Sequence, residues 1–299
     1  MRRLGGAIVQ TSAAVILVGS VVGGLALYNA DRRGSADLAA FEAAVTRASS
    51  PGVPIAGFSD FWGRLEVFPV IQDGTLNPVP DGVANDIWAA FMRMTTPAFT
   101  VENMSELRIA RAPGNPTMAA VERDAADPAR WSLTVNIASD LERPDYLRTL
   151  VHEYAHLLTL DDDQLDRSAT RCRTTRLQDG CLLAGSTLER FQERFWRPYG
   201  EEAPSPDSDA SPASWHLYFD HTGSFVSVYA ATNVVEDLAE SFTEFVVRDR
   251  PSPESGPWAQ KILFFWDEPG YVAIRAHIRD WFGPELPEPE LPTPNAHRG

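Results

Sequence analysis

Apolar residues recur at helical spacing in several segments of the chain, which predicts amphipathic helices. Pro144 and Asp145 favour a helix that begins at that proline, because both residues suit the first turn. Ser186 and Glu189 have the spacing of a capping box, which predicts a helix start at the serine. The predicted helices cover residues 35–48, 85–94, 144–160, 186–196 and 234–247, followed by two short helices within 257–282.

Two segments, residues 107–110 and 131–138, have the pattern of strands. In the second, Leu133, Val135 and Ile137 alternate with polar residues, as in a strand with one buried face. The sequence therefore predicts an α+β fold that is mainly helical.

No clean break divides the chain, so residues 35–283 are expected to form one domain. The tail that follows, residues 284–299, is rich in proline and glutamate. Such a composition is typical of a segment without fixed structure.

The N-terminal residues have the pattern of a membrane element. Arg2 and Arg3 precede a run from Gly5 to Tyr28 without a formal charge, long enough to span the roughly 30 Å core of a bilayer. Residues 1–30 are therefore expected to form one transmembrane helix, an uncleaved signal anchor. The rest of the chain would lie outside a bacterial-type cell membrane. A cleaved signal peptide with secretion, or a cytoplasmic protein with an apolar N-terminus, are the alternatives.

The net charge limits which partners the protein can bind, and the two cysteines bear on the cellular compartment in which it folds. The formal net charge of −15 disfavours nucleic acid as a partner, because phosphate backbones would be repelled. Cys172 and Cys181 lie in a loop-like stretch and are expected to form a disulfide outside the cytoplasm. Two unrelated thiols are the alternative. A zinc site on them is disfavoured, because they lack CxxC spacing and a neighbouring histidine.

The segment His152-Glu153-Tyr154-Ala155-His156 carries the main candidate chemistry. On a helix the two histidines lie one turn apart on one face, where they can bind a single Zn²⁺. Glu153 can then serve as general base toward a water that the metal activates. Two histidines without metal are the alternative, but the neighbouring residues are apolar. They predict a buried helix, in which such polar groups need compensation.

A catalytic zinc needs a third protein ligand, and Glu236 is the preferred candidate. Glu236 and Glu240 share one face of the 234–247 helix. Glu240, with Asp237 as the weaker candidate for the same role, could accept a hydrogen bond from a ligating histidine and orient its ring. A solvated acidic helix face is the alternative reading of these carboxylates.

Three further residues are weaker ligand candidates. Asp162 follows the second histidine, but no glycine there allows the sharp turn that would bring it back to the metal. His216 and His221 lie in a segment with the pattern of a strand and a turn.

The sequence resembles a known family in two places. The segment from Tyr229 to Phe242 reads Tyr-Ala-Ala-Thr-Asn-Val-Val-Glu-Asp-Leu-Ala-Glu-Ser-Phe. Together with the HEYAH motif, it resembles the catalytic domain of the anthrax lethal factor-like metallopeptidases, which are gluzincins. The resemblance covers residues 145–160 and 229–245, and Ala155 stands where that family has glycine.

The resemblance implies a zincin-like domain with a small mixed sheet and an active-site helix. It also implies that Glu236 is the third zinc ligand. Tyr229 would donate a hydrogen bond to the developing oxyanion or protonate the leaving amine. A core or rim aromatic is the alternative for Tyr229. In zincins an edge strand binds substrate backbone, and residues 131–138 are expected to fill that role.

These features predict a zinc-dependent endopeptidase that binds one Zn²⁺ and acts on an extracytoplasmic protein or peptide. One alternative is a zinc-stabilised, membrane-anchored binding or scaffold domain without turnover. The other is a structural domain without metal. Glu153 and Tyr229 count against a scaffold, because metal binding alone needs no general base.

Overall fold

The computed structural model describes residues 53–138 and 142–286. Within them the fold is α+β, with eight helices and a mixed five-stranded sheet, and about half of these residues are helical. The predicted α+β class is confirmed. The helical fraction, about half of the described residues, is smaller than the prediction of a mainly helical fold implies. The strands are β1 (Ile55–Ser59), β2 (Gly63–Pro69), β3 (Met104–Ala110), β4 (Ala119–Arg123), β5 (Trp131–Asn136), β6 (Leu165–Asp166), β7 (Arg176–Leu177) and β8 (Gly180–Leu182). The α-helices are α1 (Gly82–Thr95), α2 (Pro97–Asn103), α3 (Arg143–Thr159), α4 (Thr187–Phe191), α5 (Pro212–Asp220), α6 (Val234–Val247), α7 (Pro257–Trp266) and α8 (Pro269–Phe282).

The large sheet has the strand order β1-β2-β3-β5-β4, in which β3 and β5 run parallel and the other neighbours antiparallel. Strand β5 lies inside the sheet, so the prediction that residues 131–138 form the substrate-binding edge is wrong. The edge on that side is β4, which pairs antiparallel with β5 and places Val121 opposite Leu133. Helix α3 packs against β4.

Helix α3 carries the HEYAH motif and runs from Arg143 to Thr159, one residue from the predicted limits. Pro144 stands in its first turn, where a missing backbone N–H leaves no hydrogen bond unmade. Apolar residues on both sides of the motif are almost fully buried and anchor the helix in the core. They are Leu147, Leu150, Val151 and Leu157. The motif is therefore held by apolar packing on a regular helix, and not by a loop.

Helix α6, the second element of the site, spans the predicted residues 234–247. Asn233 is its N-cap, and the Asn233 side-chain oxygen accepts the backbone N–H of Glu236 at 2.9 Å. This bond fixes the first turn of the helix, from which Glu236 projects. Helices α3 and α6 pack against each other.

The structure confirms some of the other predicted helix limits and contradicts one predicted strand. Ser186 caps α4 as predicted, but that helix passes into a π-helical turn at Gln192–Trp196. Helices α7 and α8 separate near Asp267, as the pattern indicates. The predicted strand around His216 is wrong. Helix α5 lies there instead, because Ser211 and Ser214 form a capping box that starts it.

Cys172 and Cys181 are joined by a disulfide, as the sequence predicts. Cys181 lies in β8, the central strand of a small sheet with the order β6-β8-β7. The neighbouring Gly180 has φ +155, and a Cβ there would lie 2.5 Å from the carbonyl oxygen of Asp166. Only glycine fits this close approach of two strands.

The disulfide leads to a direct chemical prediction. Alkylation of the folded protein without reductant should label neither Cys172 nor Cys181, because both sulfur atoms are in the bond. After reduction and unfolding, mass spectrometry should find both labelled. Labelling of both cysteines before reduction would contradict the bridge and weaken the expectation of an extracytoplasmic protein.

Several predictions concern residues that lie outside the described ranges. They are the membrane segment 1–30, the helix 35–48 and the tail beyond residue 286. The first residues of the predicted tail do have structure, since Gly283–Glu285 form a 3₁₀ turn and Glu285 pairs with Arg143. Across residues 53–138 and 142–286, no helix has the length and apolar character needed to cross a bilayer.

Candidate metal centre

Helices α3 and α6 bring three potential ligand atoms to one point. Nε2 of His152 lies 3.1 Å from Nε2 of His156. Oε2 of Glu236 lies 3.0 Å from the first of these nitrogens and 3.5 Å from the second. Within the described part of the chain, these three side chains form the one group of this kind that could hold a metal ion.

The spacing of the three atoms fits a single bound ion. Zinc binds nitrogen and oxygen ligands at about 2.0–2.1 Å in tetrahedral geometry, which places neighbouring ligand atoms roughly 3.3 Å apart. The observed separations of 3.0, 3.1 and 3.5 Å lie close to that value. The group can therefore hold one metal ion without a large rearrangement, and three protein ligands leave a fourth position for water or substrate.

Glu240 contacts His152 on the ring nitrogen that points away from the metal position. Its Oε1 lies 2.9 Å from Nδ1 of His152, so a proton on Nδ1 leaves Nε2 directed at the metal position. Burial disfavours the charged ring, but bonds to Glu236 and Glu240 outweigh it and raise the pKa of His152 well above its usual range. Burial would raise the pKa of both carboxylates, yet the histidine contacts hold them below their usual range.

Glu153 lies beside the metal position and is only 5% exposed. Its Oε2 accepts the backbone N–H of Val121, in edge strand β4, at 2.9 Å. Burial raises the pKa of Glu153, while the nearby His152 and His156 oppose that shift. A carboxylate fixed through one oxygen, with a raised pKa, is suited to accept a proton from a neighbouring water.

Tyr229 projects from a 3₁₀ turn, Tyr229–Ala231, just before helix α6. Its ring centroid lies 5.9 Å from that of His152, and the residue is 50% exposed. Desolvation and the carboxylates of Glu236 and Glu153 raise the pKa of its phenol. The hydroxyl therefore stays protonated near neutral pH and acts as a hydrogen-bond donor, here toward the carboxylate of Glu236.

Asp237 was the weaker candidate for orienting a ligating histidine, but its carboxylate contacts Lys261 and Trp196 instead. It is fully buried, with Oδ2 2.6 Å from Nζ of Lys261 and 2.7 Å from Nε1 of Trp196. Burial raises the pKa of Asp237 and lowers that of Lys261, and the ion pair opposes both shifts. Asp237 therefore fixes the first turn of α6 against α7 instead of orienting a ligand.

Replacing Asp237 with asparagine should lower the free energy of unfolding by about 3–5 kcal/mol, because Lys261 would lose its charged partner in the core. Urea titration followed by circular dichroism measures the loss. The matched control is the double variant Asp237→Asn with Lys261→Met, which removes both charges, keeps an acceptor for Nε1 of Trp196 and should be much closer to wild type. A single variant as stable as wild type would show that the pair does not anchor this helix.

The three weaker ligand candidates lie elsewhere. Oδ1 of Asp162 is 3.1 Å from an Arg123 guanidinium nitrogen. His216 is exposed on helix α5. His221 pairs with Glu202 at 2.9 Å.

Two contacts of the site were missed by sequence reasoning. The N–H of Val121 belongs to a strand whose Ala-Ala-Val-Glu-Arg sequence has no marked alternation. Ser227 donates to Oε2 of Glu240 at 2.6 Å. The sequence offers one weak indication of its role, because a serine side chain often starts a turn by accepting the backbone N–H of a following residue.

Comparisons of the chain with protein-family models, with curated proteins and with solved structures found no match.

Proposed function

We propose that the protein is a zinc-dependent endopeptidase of gluzincin type. The observation that carries the proposal is the triangle of His152, His156 and Glu236, with Glu153 and Tyr229 beside it. Two imidazoles and one glutamate form a ligand set typical of catalytic zinc in peptidases. A purely structural zinc site usually has four protein ligands and needs no neighbouring base.

Each residue of the site has a role in peptide hydrolysis. Bound zinc would polarise the substrate carbonyl and lower the pKa of a water. Glu153 accepts the proton of the attacking water and delivers it to the leaving amine. Tyr229 donates a hydrogen bond to the oxygen that gains negative charge. Glu240 keeps the His152 ring in the required tautomer.

Strand β4 offers the backbone that would align a peptide substrate. Its inner hydrogen bonds go to β5, whereas the N–H of Val121 faces outward and binds Glu153. Because backbone groups alternate along an antiparallel strand, Ala119 faces the same way as Val121. Because Glu153 holds the Val121 N–H, an extended peptide would add to β4 through the outward backbone groups of Ala119, next to the general base. In this proposal β4 takes the role expected for residues 131–138.

The proposed substrate is a protein or peptide outside the cytoplasm. The disulfide Cys172–Cys181 supports this location, because such bonds persist in oxidising compartments. The uncharged run from Gly5 to Tyr28 supports attachment to a membrane through residues 1–30.

The test combines metal analysis with peptide cleavage by the full chain. The purified protein should contain one equivalent of zinc, and it should cleave members of a random peptide library. A chelator should abolish cleavage, and added zinc should restore it. Protein that lacks metal and cannot bind zinc would contradict the metal centre. Zinc-bound protein that cleaves no peptide would support the scaffold alternative instead.

A further inference from the structure

The hydroxyl of Ser227 lies between the tyrosine turn and the carboxylate that orients His152. Its Oγ donates to Oε2 of Glu240 at 2.6 Å. The same oxygen accepts the backbone N–H of Ala230 at 3.0 Å. An ionised carboxylate only accepts hydrogen bonds, so the direction of both bonds is fixed: Ser227 must donate to Glu240 and can accept only from the amide.

These two bonds extend a chain that begins at the metal position. Nδ1 of His152 bonds to Oε1 of Glu240, and the other oxygen of Glu240 bonds to Ser227. Ser227 then bonds to the amide of Ala230, the residue next to Tyr229. A single glutamate thus connects a metal ligand on α3 with the turn that carries the phenol.

The turn that carries Tyr229 has two backbone hydrogen bonds of its own, from the Ala231 N–H to the Val228 carbonyl at 3.2 Å and from the Thr232 N–H to the Tyr229 carbonyl at 2.9 Å. The side chain is 50% exposed, and it projects from a turn of three residues. Ala230 and Ala231 are fully buried and place the turn against the core. The Ser227 bond differs from these contacts because it leads through Glu240 to His152.

We propose that Ser227 is a positioning residue that sets the place of the Tyr229 hydroxyl relative to His152. The proposal rests on the proposed hydrolytic function for its kinetic consequence, but not for the structural one. Without the Ser227 hydroxyl, the Ala230 amide loses its acceptor and Glu240 loses a donor. The turn then loses its hydrogen-bonded link to Glu240 and His152, while its packing against α6 remains.

Amide hydrogen exchange tests the structural consequence without any activity. In Ser227→Ala, residues 226–233 should exchange faster than in wild type, because the Ala230 amide is no longer bonded. Ser227→Thr keeps a hydroxyl and should restore slow exchange. Ser105→Ala is the matched control, since Ser105 is also half-buried and donates one bond, to the Trp131 carbonyl at 3.1 Å. It should leave exchange in residues 226–233 unchanged.

Kinetics with saturating zinc test whether the hydroxyl acts through the tyrosine. Ser227→Ala should lower kcat about three- to tenfold, the effect of one lost hydrogen bond, with KM little changed. Ser227→Thr should recover most of this loss. In a Tyr229→Phe background the phenol is already absent, so Ser227→Ala should lower kcat by less than about twofold.

The outcomes separate this proposal from the one on which it rests. Unchanged exchange in residues 226–233 of Ser227→Ala would overturn it. So would a full additional loss of kcat in the Tyr229→Phe background, because Ser227 would then act by another route. If wild-type protein cleaves no peptide, the hydrolytic proposal fails. The exchange comparison still decides whether Ser227 holds the turn.

Discussion

Glu153→Gln should retain zinc and lose peptide cleavage by about 10²–10⁴-fold, the usual contribution of a general acid–base residue. Glutamine has nearly the same shape, and its amide oxygen can still accept the Val121 N–H that Glu153 accepts at 2.9 Å. The side chain should therefore stay in place. What it loses is the ability to take a proton from the attacking water.

The environment of Glu153 explains why the loss should be large. Burial raises the pKa of its carboxyl, with His152 and His156 opposing that shift. A base with a raised pKa accepts a proton more readily than an ordinary carboxylate does. Glutamine cannot be protonated near neutral pH, so residual cleavage would have to come from the metal and the oxyanion donor alone.

The experiment needs zinc content, cleavage rate and folding in parallel. Glu122→Gln is the matched control, because Glu122 is an exposed glutamate on the same edge strand, paired with Arg108 at 3.1 Å. It should keep both zinc and activity. If Glu153→Gln cleaves as fast as wild type, the assigned mechanism is wrong. If it loses zinc, Glu153 helps to hold the metal.

Local patterns in the sequence predicted the two helices of the site well. Helix α3 differs from its predicted limits by one residue, and α6 has the predicted limits. Both have apolar residues at helical spacing, and that pattern depends on neighbouring residues alone. The spacing of His152 and His156 followed from helical geometry in the same way.

Long-range contacts could not be read from local patterns. Strand β4 precedes β5 along the chain, but this does not determine which of the two strands forms the edge of the sheet. Asp237 has the same local spacing whether it faces a histidine or Lys261, which lies on another helix. The direction of its side chain was decided by the packing of α6 against α7, and the sequence pattern of α6 carries no information about that contact.

Glu236→Ala should weaken zinc binding by more than about 100-fold. Loss of residues that only support a ligand already costs 10–100-fold in metal affinity, and Glu236 would contribute a direct bond. Its Oε2 lies within 3.5 Å of both histidine nitrogens, so its removal leaves a two-histidine site. Such a site lacks the third ligand typical of catalytic zinc.

The apo variant should remain folded, which makes the measurement clean. His152 keeps its bond to Glu240 at 2.9 Å when Glu236 is removed, so the buried ring does not lose every charged partner. The Asn233 cap bonds to the backbone of residue 236 and does not depend on the side chain there. Circular dichroism should show helical content close to that of wild type.

Competition with a chromophoric zinc chelator then compares how much Glu236 and Glu240 contribute to zinc affinity. Glu240→Ala is the comparison, because Glu240 touches His152 at Nδ1 and lies outside the ligand triangle. It should weaken zinc binding by 10–100-fold, less than Glu236→Ala does. The reverse ranking would mean that Glu240 binds the metal and Glu236 supports it. Unchanged zinc affinity in Glu236→Ala would remove Glu236 from the site altogether, since the third bond to the ion would then come from another group.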